Sequence, residues 1–140
     1  MVAYSEDDKG EDYIHWMSEA ANNGHAGAQF ILGLMYKKGQ GVEQNYAETI
    51  QYFLKAAVQE HAQSQYNLGL MYRDGKGVAQ NYNEAEDWFI KAAAHGHVQS
   101  QYNLGLMYLH GQGVAQDYDE AMKWFRKAAR QEYENFIEVL

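Results

Sequence analysis

Serine is the first residue type in this sequence whose spacing could indicate covalent chemistry. Ser18, Ser64 and Ser100 are candidate nucleophiles. An acyl-enzyme of the penicillin-binding kind needs a lysine three residues after its serine, in the pattern Ser-x-x-Lys. Here those positions hold alanine or asparagine, and neither Gly-x-Ser-x-Gly nor His-Glu-x-x-His occurs in the chain. The sequence therefore predicts no catalytic residue and a protein that is not an enzyme.

Histidine recurs at one fixed spacing, which raises the question of a metal site. His25, His61 and His97 are 36 residues apart. Equivalent atoms of stacked helices lie roughly 8–10 Å apart, whereas zinc binds its ligands at about 2 Å. Three such side chains cannot share one ion, so we expect no metal site. No other set of residues indicates a cofactor.

Glycine pairs occur in the segment Gly-x-Gly-Val at 39–42, 75–78 and 111–114. A phosphate-binding loop needs backbone N–H groups at the start of a helix. These glycines instead follow the end of a predicted helix, where the helix dipole is negative. We interpret them as turns, in which the first glycine adopts a positive φ and ends the helix.

All these residues lie in a pattern that returns every 36 residues. The stretch Ser-Gln-Tyr-Asn-Leu-Gly-Leu-Met-Tyr at 64–72 is repeated letter for letter at 100–108, with a looser copy at 28–36. A fixed period of this length indicates a repeat array, in which each unit buries its apolar face against its neighbours. The predicted single repeat domain over 1–140 comprises a half repeat or capping helix at 1–24, full repeats at 25–60, 61–96 and 97–132, and a tail at 133–140.

Each full repeat is predicted to form a helix A, a tight loop and a helix B, which gives seven main helices with the half repeat. Helix B begins after Asn45, Asn81 or Asp117, and a glutamate three residues later completes a capping-box pattern. A glycine within helix A costs about 1 kcal/mol relative to alanine, so the one that recurs at the Gly69 position is expected to have a packing reason.

The tail is predicted to form a truncated or capping segment, or a short eighth helix. Phe136, Ile137, Val139 and Leu140 are its apolar residues. They are expected either to pack on the last helix B or to form an apolar patch that drives self-association.

Composition narrows the choice of partners. The net charge of −8 disfavours nucleic acid and anionic membrane surfaces. No apolar run approaches the roughly 18 residues of a membrane span, so we expect no membrane insertion. There is no cysteine and no signal-peptide core, which slightly favours the cytoplasm, or the periplasm if a leader has been removed.

Together these motifs resemble the Sel1-like repeat, a relative of the tetratricopeptide repeat. The resemblance rests on Ala/Ser-Gln-x-x-Leu-Gly-x-Met-Tyr, Gly-x-Gly-Val and Trp-Phe-x-Lys-Ala-Ala, and it spans residues 9–132. It implies an all-α, right-handed α/α superhelical solenoid whose A helices line a concave face. It also implies a noncatalytic adaptor, which we expect to be bacterial, that binds a protein or peptide of unknown identity.

The tetratricopeptide pattern assigns amide, phenol, aliphatic and guanidinium groups of helix A to that face. Amide and phenol groups can hydrogen-bond an extended peptide, and Tyr and Arg are enriched at binding hot spots. The same residues could equally recur because the repeat was duplicated. The predicted peptide-binding residues are Gln63, Tyr66, Asn67, Leu70, Arg73, Gln99, Tyr102, Asn103 and Leu106.

Two alternative functions remain. One cysteine-rich bacterial branch of the family is linked to β-lactam binding and hydrolysis, so a protein that binds or hydrolyses a β-lactam or a peptidoglycan fragment is an alternative, although this chain has no cysteine. The other is a self-associating structural module, a homodimer formed through the C-terminal tail.

Overall fold

The structure is a computed structural model that describes residues 6–139, with side chains described from Gly10 onward. These residues form helices and no strand, which confirms the predicted all-α repeat fold. The helices are α1 (Glu6–Asn22), α2 (Ala26–Lys38), α3 (Tyr46–Ala57), α4 (Ala62–Asp74), α5 (Tyr82–Ala94), α6 (Val98–His110) and α7 (Tyr118–Glu138). Helices α2, α4 and α6 are the A helices, and α3, α5 and α7 are the B helices. The chain divides into two compact units, one with α1 to α3 and the other with α4 to α7.

The start of each B helix has the predicted Asn or Asp cap, but the cap's own N–H donates to a backbone carbonyl and not to the glutamate of the predicted capping box. Asn81 has an extended backbone, and its side-chain oxygen accepts a hydrogen bond of 3.1 Å from the N–H of Glu84. The cap's own N–H donates to the Tyr72 carbonyl on α4 at 2.8 Å, so this donor is satisfied by the preceding helix. The same two bonds recur at Asn45 and Asp117. The cap therefore also fixes helix B against helix A.

The A helices begin at the recurring histidines, whose role the sequence did not reveal. His25 Nδ1 accepts a hydrogen bond from the N–H of Ala28 at 3.1 Å. His97 Nδ1 accepts from the N–H of Ser100 at 3.3 Å. Both residues have extended backbones. In these two helices the histidine is thus the N-cap, where a side-chain acceptor satisfies one of the first backbone donors.

The glycine within each A helix has the packing reason that its recurrence predicted. A Cβ on Gly69 would lie 2.5 Å from the Phe89 ring, and Gly105 faces Phe125 at the same distance. Phe89 lies in the core of the second unit with Leu104 and Met107. Close approach of helix A to helix B therefore depends on the missing side chain.

The loop after each A helix is fastened by a glutamine. Gly75 has a φ of 67° where α4 ends, as predicted for the first glycine of the pair. Gln80 then donates through Nε2 to the Arg73 carbonyl at 2.7 Å and lies 3.2 Å from the Tyr82 hydroxyl. Gln44 and Gln116 make the equivalent bonds. The side chain thus satisfies a carbonyl that the end of the helix leaves free.

The tail does not form an eighth helix in the described residues, because residues 133–138 continue α7. A residue with positive φ follows each of α1, α3 and α5: Gly24, Glu60 and Gly96. It is followed by a histidine. In the last repeat the position of this histidine is held by Tyr133, which lies within α7. The apolar tail residues Tyr133, Phe136, Ile137 and Val139 are exposed, and Leu140 lies outside the described residues.

Candidate peptide-binding surface

The nine predicted binding residues lie on α4 and α6, two helices of the same compact unit. The structure places five of them at two cavities that share Leu106. Arg73, Asn103 and Leu106 line a polar pocket. Gln99, Tyr102 and again Leu106 line an apolar groove. The remaining four, Gln63, Tyr66, Asn67 and Leu70, take part in packing or in bonds within the unit.

His97 covers the first part of the predicted surface. Its ring lies against Tyr66 with the centroids 4.7 Å apart. Because Nδ1 accepts a hydrogen bond from Ser100, the ring proton lies on Nε2, which is 3.2 Å from Gln63 Oε1. Burial lowers the pKa of His97, which favours this neutral form. Tyr66 and Gln63 are therefore engaged in fastening α6 to α4.

Asn67 and Leu70 also make contacts within their own unit. The Asn67 amide donates to the Gln63 carbonyl at 2.8 Å, which is a bond within α4. Leu70 is partly buried and packs against the core cluster around Phe89. The sequence assigned both to the binding face, and the structure shows that each has a structural contact as well.

The polar pocket has a volume of about 350 Å³. At its wall the Arg73 guanidinium donates to Asp74 through Nε at 2.9 Å and through Nη2 at 3.2 Å. Its Nη1 donates to Asn103 Oδ1 at 2.8 Å. A guanidinium has five N–H donors, so further donors remain on a group that is already held in place. The lining residues are Arg73, Asp74, Gln80, Tyr82, Asn103, Leu106, Met107, His110 and Gln112.

The apolar groove lies between α6 and α7 and has a volume of about 670 Å³. Tyr102 is 51% exposed at its edge, with its ring centroid 5.5 Å from that of Phe125. Leu106 separates the groove from the polar pocket, since it lines both. The lining residues are Val98, Gln99, Tyr102, Leu106, Leu109, Phe125, Ala128, Ala129 and Glu132.

The same face of the preceding repeat is covered by a helix. Phe89 and Ala93, the counterparts of Phe125 and Ala129, are 0% and 6% exposed. They pack in one cluster with Leu104 and Met107 of α6. Phe125 is only half-buried, and Ala129 is exposed. The groove on α6 and α7 thus corresponds to the docking position of an A helix.

Ser100 and His97 are placed like a nucleophile and its base, but the serine hydroxyl is not accessible to a substrate. Ser100 Oγ lies 3.0 Å from His97 Nδ1. The serine is 0% exposed, and Ser64 is equally buried. No substrate can reach a hydroxyl enclosed in this way, so the contact serves the helix cap. Among the described residues, no helix has both the length and the hydropathy needed to cross a membrane.

Comparisons with known proteins agree with this architecture. The family model described as the Sel1 repeat matches residues 14–25, 26–61, 62–97 and 98–133. Each of the three full repeats begins and ends one residue later than predicted from the sequence. No curated protein matches the sequence.

Solved structures with the same fold include two close relatives. A protective antigen present in uropathogenic Escherichia coli strains and displaying an SLR fold is 41% identical, with a TM-score of 0.81 over 84% of this chain and 25% of the antigen. A Sel1 repeat protein from Oxalobacter formigenes is 34% identical, with a TM-score of 0.84 over 89% of this chain and 51% of that protein. This chain therefore spans about a quarter and about half of their lengths.

A third solved structure matches over its whole length. Cysteine rich protein B of Helicobacter pylori aligns over 97% of this chain and 98% of its own, with a TM-score of 0.70. At 22% identity, this likeness shows the fold alone.

Proposed function

Because this chain belongs to the Sel1 repeat family, whose repeats are generally protein-interaction modules, we propose that it is a noncatalytic adaptor. It binds a peptide or a protein partner on the A-helix surface of its second unit. The observation that carries the proposal is the adjacency of an apolar groove and a polar pocket that share Leu106.

The two cavities supply complementary contacts to one chain. The groove offers Tyr102 and Leu106 as apolar and aromatic surface, the kind of contact that dominates peptide affinity. The pocket offers N–H groups of Arg73, whose guanidinium is already positioned by Asp74 and Asn103. A preorganised group loses less conformational entropy on binding. We therefore expect a ligand with an apolar side chain in the groove and a hydrogen-bond acceptor in the pocket.

The β-lactam or peptidoglycan-fragment alternative has less support. It depends on resemblance to a cysteine-rich branch, and this chain contains no cysteine. Ser64 and Ser100 are fully buried. Sel1 repeat proteins are typically non-enzymatic scaffolds, which favours the adaptor.

The proposal can be tested by selecting peptides from a random display library on the immobilised protein. Affinities of the selected peptides are then measured for the wild type and for Tyr102→Ala and Asn103→Leu variants. Tyr118→Ala is the matched control, because Tyr118 is an exposed tyrosine of the same unit outside both cavities.

We expect each cavity variant to weaken binding at least about tenfold, as for a hot-spot residue, and the control to bind like the wild type. Circular dichroism establishes that all variants are folded. Peptides that bind every variant equally would place the site on another surface, and a library that yields no binder would contradict the proposal.

A further inference from the structure

The apolar groove between α6 and α7 repeats, position for position, a surface that is already covered one repeat earlier. Each of its nine lining residues has a counterpart 36 positions upstream, in α4, in α5 or just after α5. All these counterparts belong to the same compact unit as the groove, and together we call them the upstream surface. They are Ala62, Gln63, Tyr66, Leu70, Arg73, Phe89, Ala92, Ala93 and Gly96.

Helix α6 covers the upstream surface in a defined direction. Gln101 donates to the Ala93 carbonyl at 3.2 Å. One turn further along α6, Leu104 packs in a cluster with Phe89, which lies one turn earlier in α5. The contacts thus advance along α6 as they go back along α5, so the two helices are antiparallel. This seat is the template for whatever fills the groove.

We propose that the groove binds an amphipathic helix of a partner protein, seated antiparallel to α7 as α6 is seated against α5. The inference rests on the proposed function and deepens it, because it names the kind of partner that the same groove takes. The groove continues an interface that the chain already forms, so the bound helix should have the apolar spacing of α6. A ring at its first position would contact Tyr102, as His97 contacts Tyr66.

One position of the groove differs in chemistry from the upstream surface. Leu109 lines the groove where the upstream surface has Arg73. The Arg73 guanidinium donates to Asn103 Oδ1 at 2.8 Å. An amide placed against Leu109 would instead lose its water without gaining a partner, which is unfavourable. The bound helix should therefore carry an apolar side chain where α6 carries Asn103.

The charge at one end of the groove fits the start of a helix. Glu132 lines the groove on the C-terminal side of Ala129. A helix that runs antiparallel to α7 begins near this carboxylate. The first turn of a helix has free N–H groups and the positive end of the helix dipole, and a nearby negative charge stabilises both. Phe136, one turn beyond Glu132 and 59% exposed, adds an apolar contact at the same end.

The structure favours a separate partner over the segment that follows the groove in this chain. Residues 133–138 correspond to 97–102, which connect to α6 and form its start one repeat earlier. In the last repeat these positions continue α7 instead. They therefore do not turn back into the groove as α6 turns back onto α5.

A second folded copy also fits the groove poorly. Its A helices are already packed against their own B helices, α2 on α3, α4 on α5 and α6 on α7. The exposed apolar segment 133–138 at the end of α7 is about 9 Å long, which is half of the roughly 18 Å that residues 98–109 span along the groove. A free amphipathic helix can fill that length, whereas the end of α7 cannot.

The test uses a labelled peptide of residues 97–110 in which Asn103 is replaced by leucine, called the leucine probe. The same peptide with asparagine is the asparagine probe, and a scrambled sequence without the apolar spacing is the control. Fluorescence anisotropy measures their binding to the full chain. We expect the leucine probe to bind at least about fivefold more tightly than the asparagine probe, because it buries no unpaired amide. Its helical circular dichroism should increase on binding, since so short a helix is marginal in water.

Variants of the protein test the seat of the helix. Ala129→Glu should weaken binding of the leucine probe at least about tenfold, because a charged side chain then stands in the groove. The matched control is Arg130→Ala, which changes the net charge by the same amount at an exposed neighbour outside the groove. Leu109→Arg restores the chemistry of the upstream surface and should reverse the preference between the two probes. Circular dichroism establishes that the variants are folded.

The outcomes separate this inference from the adaptor function. Library peptides that bind the groove while both probes fail, or that bind without becoming helical, would overturn the helical partner and leave the adaptor standing. Failure of the library and of both probes would contradict both proposals. Probe binding that survives Ala129→Glu, or a preference unchanged by Leu109→Arg, would overturn the proposed seat. A doubled mass of the chain alone in sedimentation, lost in Ala129→Glu, would show that a second copy covers the groove instead.

Discussion

A single methyl group added at Gly69 tests how closely helix A and helix B pack. The Cβ of a Gly69→Ala variant would lie 2.5 Å from the nearest Phe89 ring carbons, whereas ordinary contact begins at 3.4 Å. Phe89 is fully buried and packs in a cluster with Ala85, Leu104 and Met107. The ring therefore has little room to move aside.

The magnitude follows from two opposing terms. Alanine gains about 1 kcal/mol over glycine within a helix. Overpacking a filled core costs about 1–3 kcal/mol, and occasionally more. Because the overlap is with a buried ring, we expect the second term to exceed the first, with a net destabilisation of up to about 2 kcal/mol. Gly69→Val adds two further methyl groups and should destabilise more.

The assay is urea unfolding of wild type and variants, followed by circular dichroism. Gly10→Ala is the matched control, because Gly10 lies in α1 and an added Cβ there meets nothing within 4 Å. It should be neutral or stabilising by up to about 1 kcal/mol. Phe89→Leu combined with Gly69→Ala should be less destabilising than the sum of the single changes, because the ring that causes the overlap is gone.

Equal stability changes in Gly69→Ala and Gly10→Ala would refute the reasoning. Such a result would mean that the helices separate at little cost, so that the recurring glycine is not required by packing. Strict additivity of the Gly69 and Phe89 changes would lead to the same conclusion.

Further predictions concern the caps and the polar pocket. Burial lowers the pKa of His97, so the unfolded chain binds its proton more readily, and this residue's contribution to stability should be lost as the pH falls below about 6.5. His97→Asn keeps a capping acceptor without titrating, so unfolding measured across that range should depend less on pH, and an unchanged profile would contradict this role. Asn81→Ala should cost about 1 kcal/mol through loss of the helix cap, whereas Asn83→Ala, two residues later and exposed, should stay within about 0.5 kcal/mol. Replacement of Asn103 by Leu should release the Arg73 side chain, which would be seen as faster motion of its guanidinium in NMR relaxation; unchanged motion would show that Asp74 alone holds it.

Much of the fold could be predicted because it depends on neighbours along the chain. The caps at Asn45, Asn81 and Asp117 act on an N–H three residues away. The first glycine of each Gly-x-Gly pair ends its helix through its own backbone conformation. The constant 36-residue period then repeats these local signals. These features depend on residues within a few positions of one another, so the helices and their order could be predicted from the sequence.

The tail was harder to predict, because helix termination there depends on signals that are missing. Tyr133 stands where the A helices have their histidine, and α7 continues past it. The capping role of that histidine was itself recognised only from the bond between His97 and Ser100. The tail's register with an A helix was therefore misleading.

The binding surface shows what only the tertiary structure decided. Tyr66 and Tyr102 occupy the same position in two identical stretches, so no reading of the letters can separate them. Tyr66 packs against the ring of His97, whereas Tyr102 lines the groove and is about half exposed to solvent. The sequence by itself determined that these tyrosines lie on the same face of successive A helices. Whether each one contacts a neighbouring helix or remains free for a partner depends on which helix packs beside it, because burial is set by elements distant in sequence rather than by the residue's own neighbours.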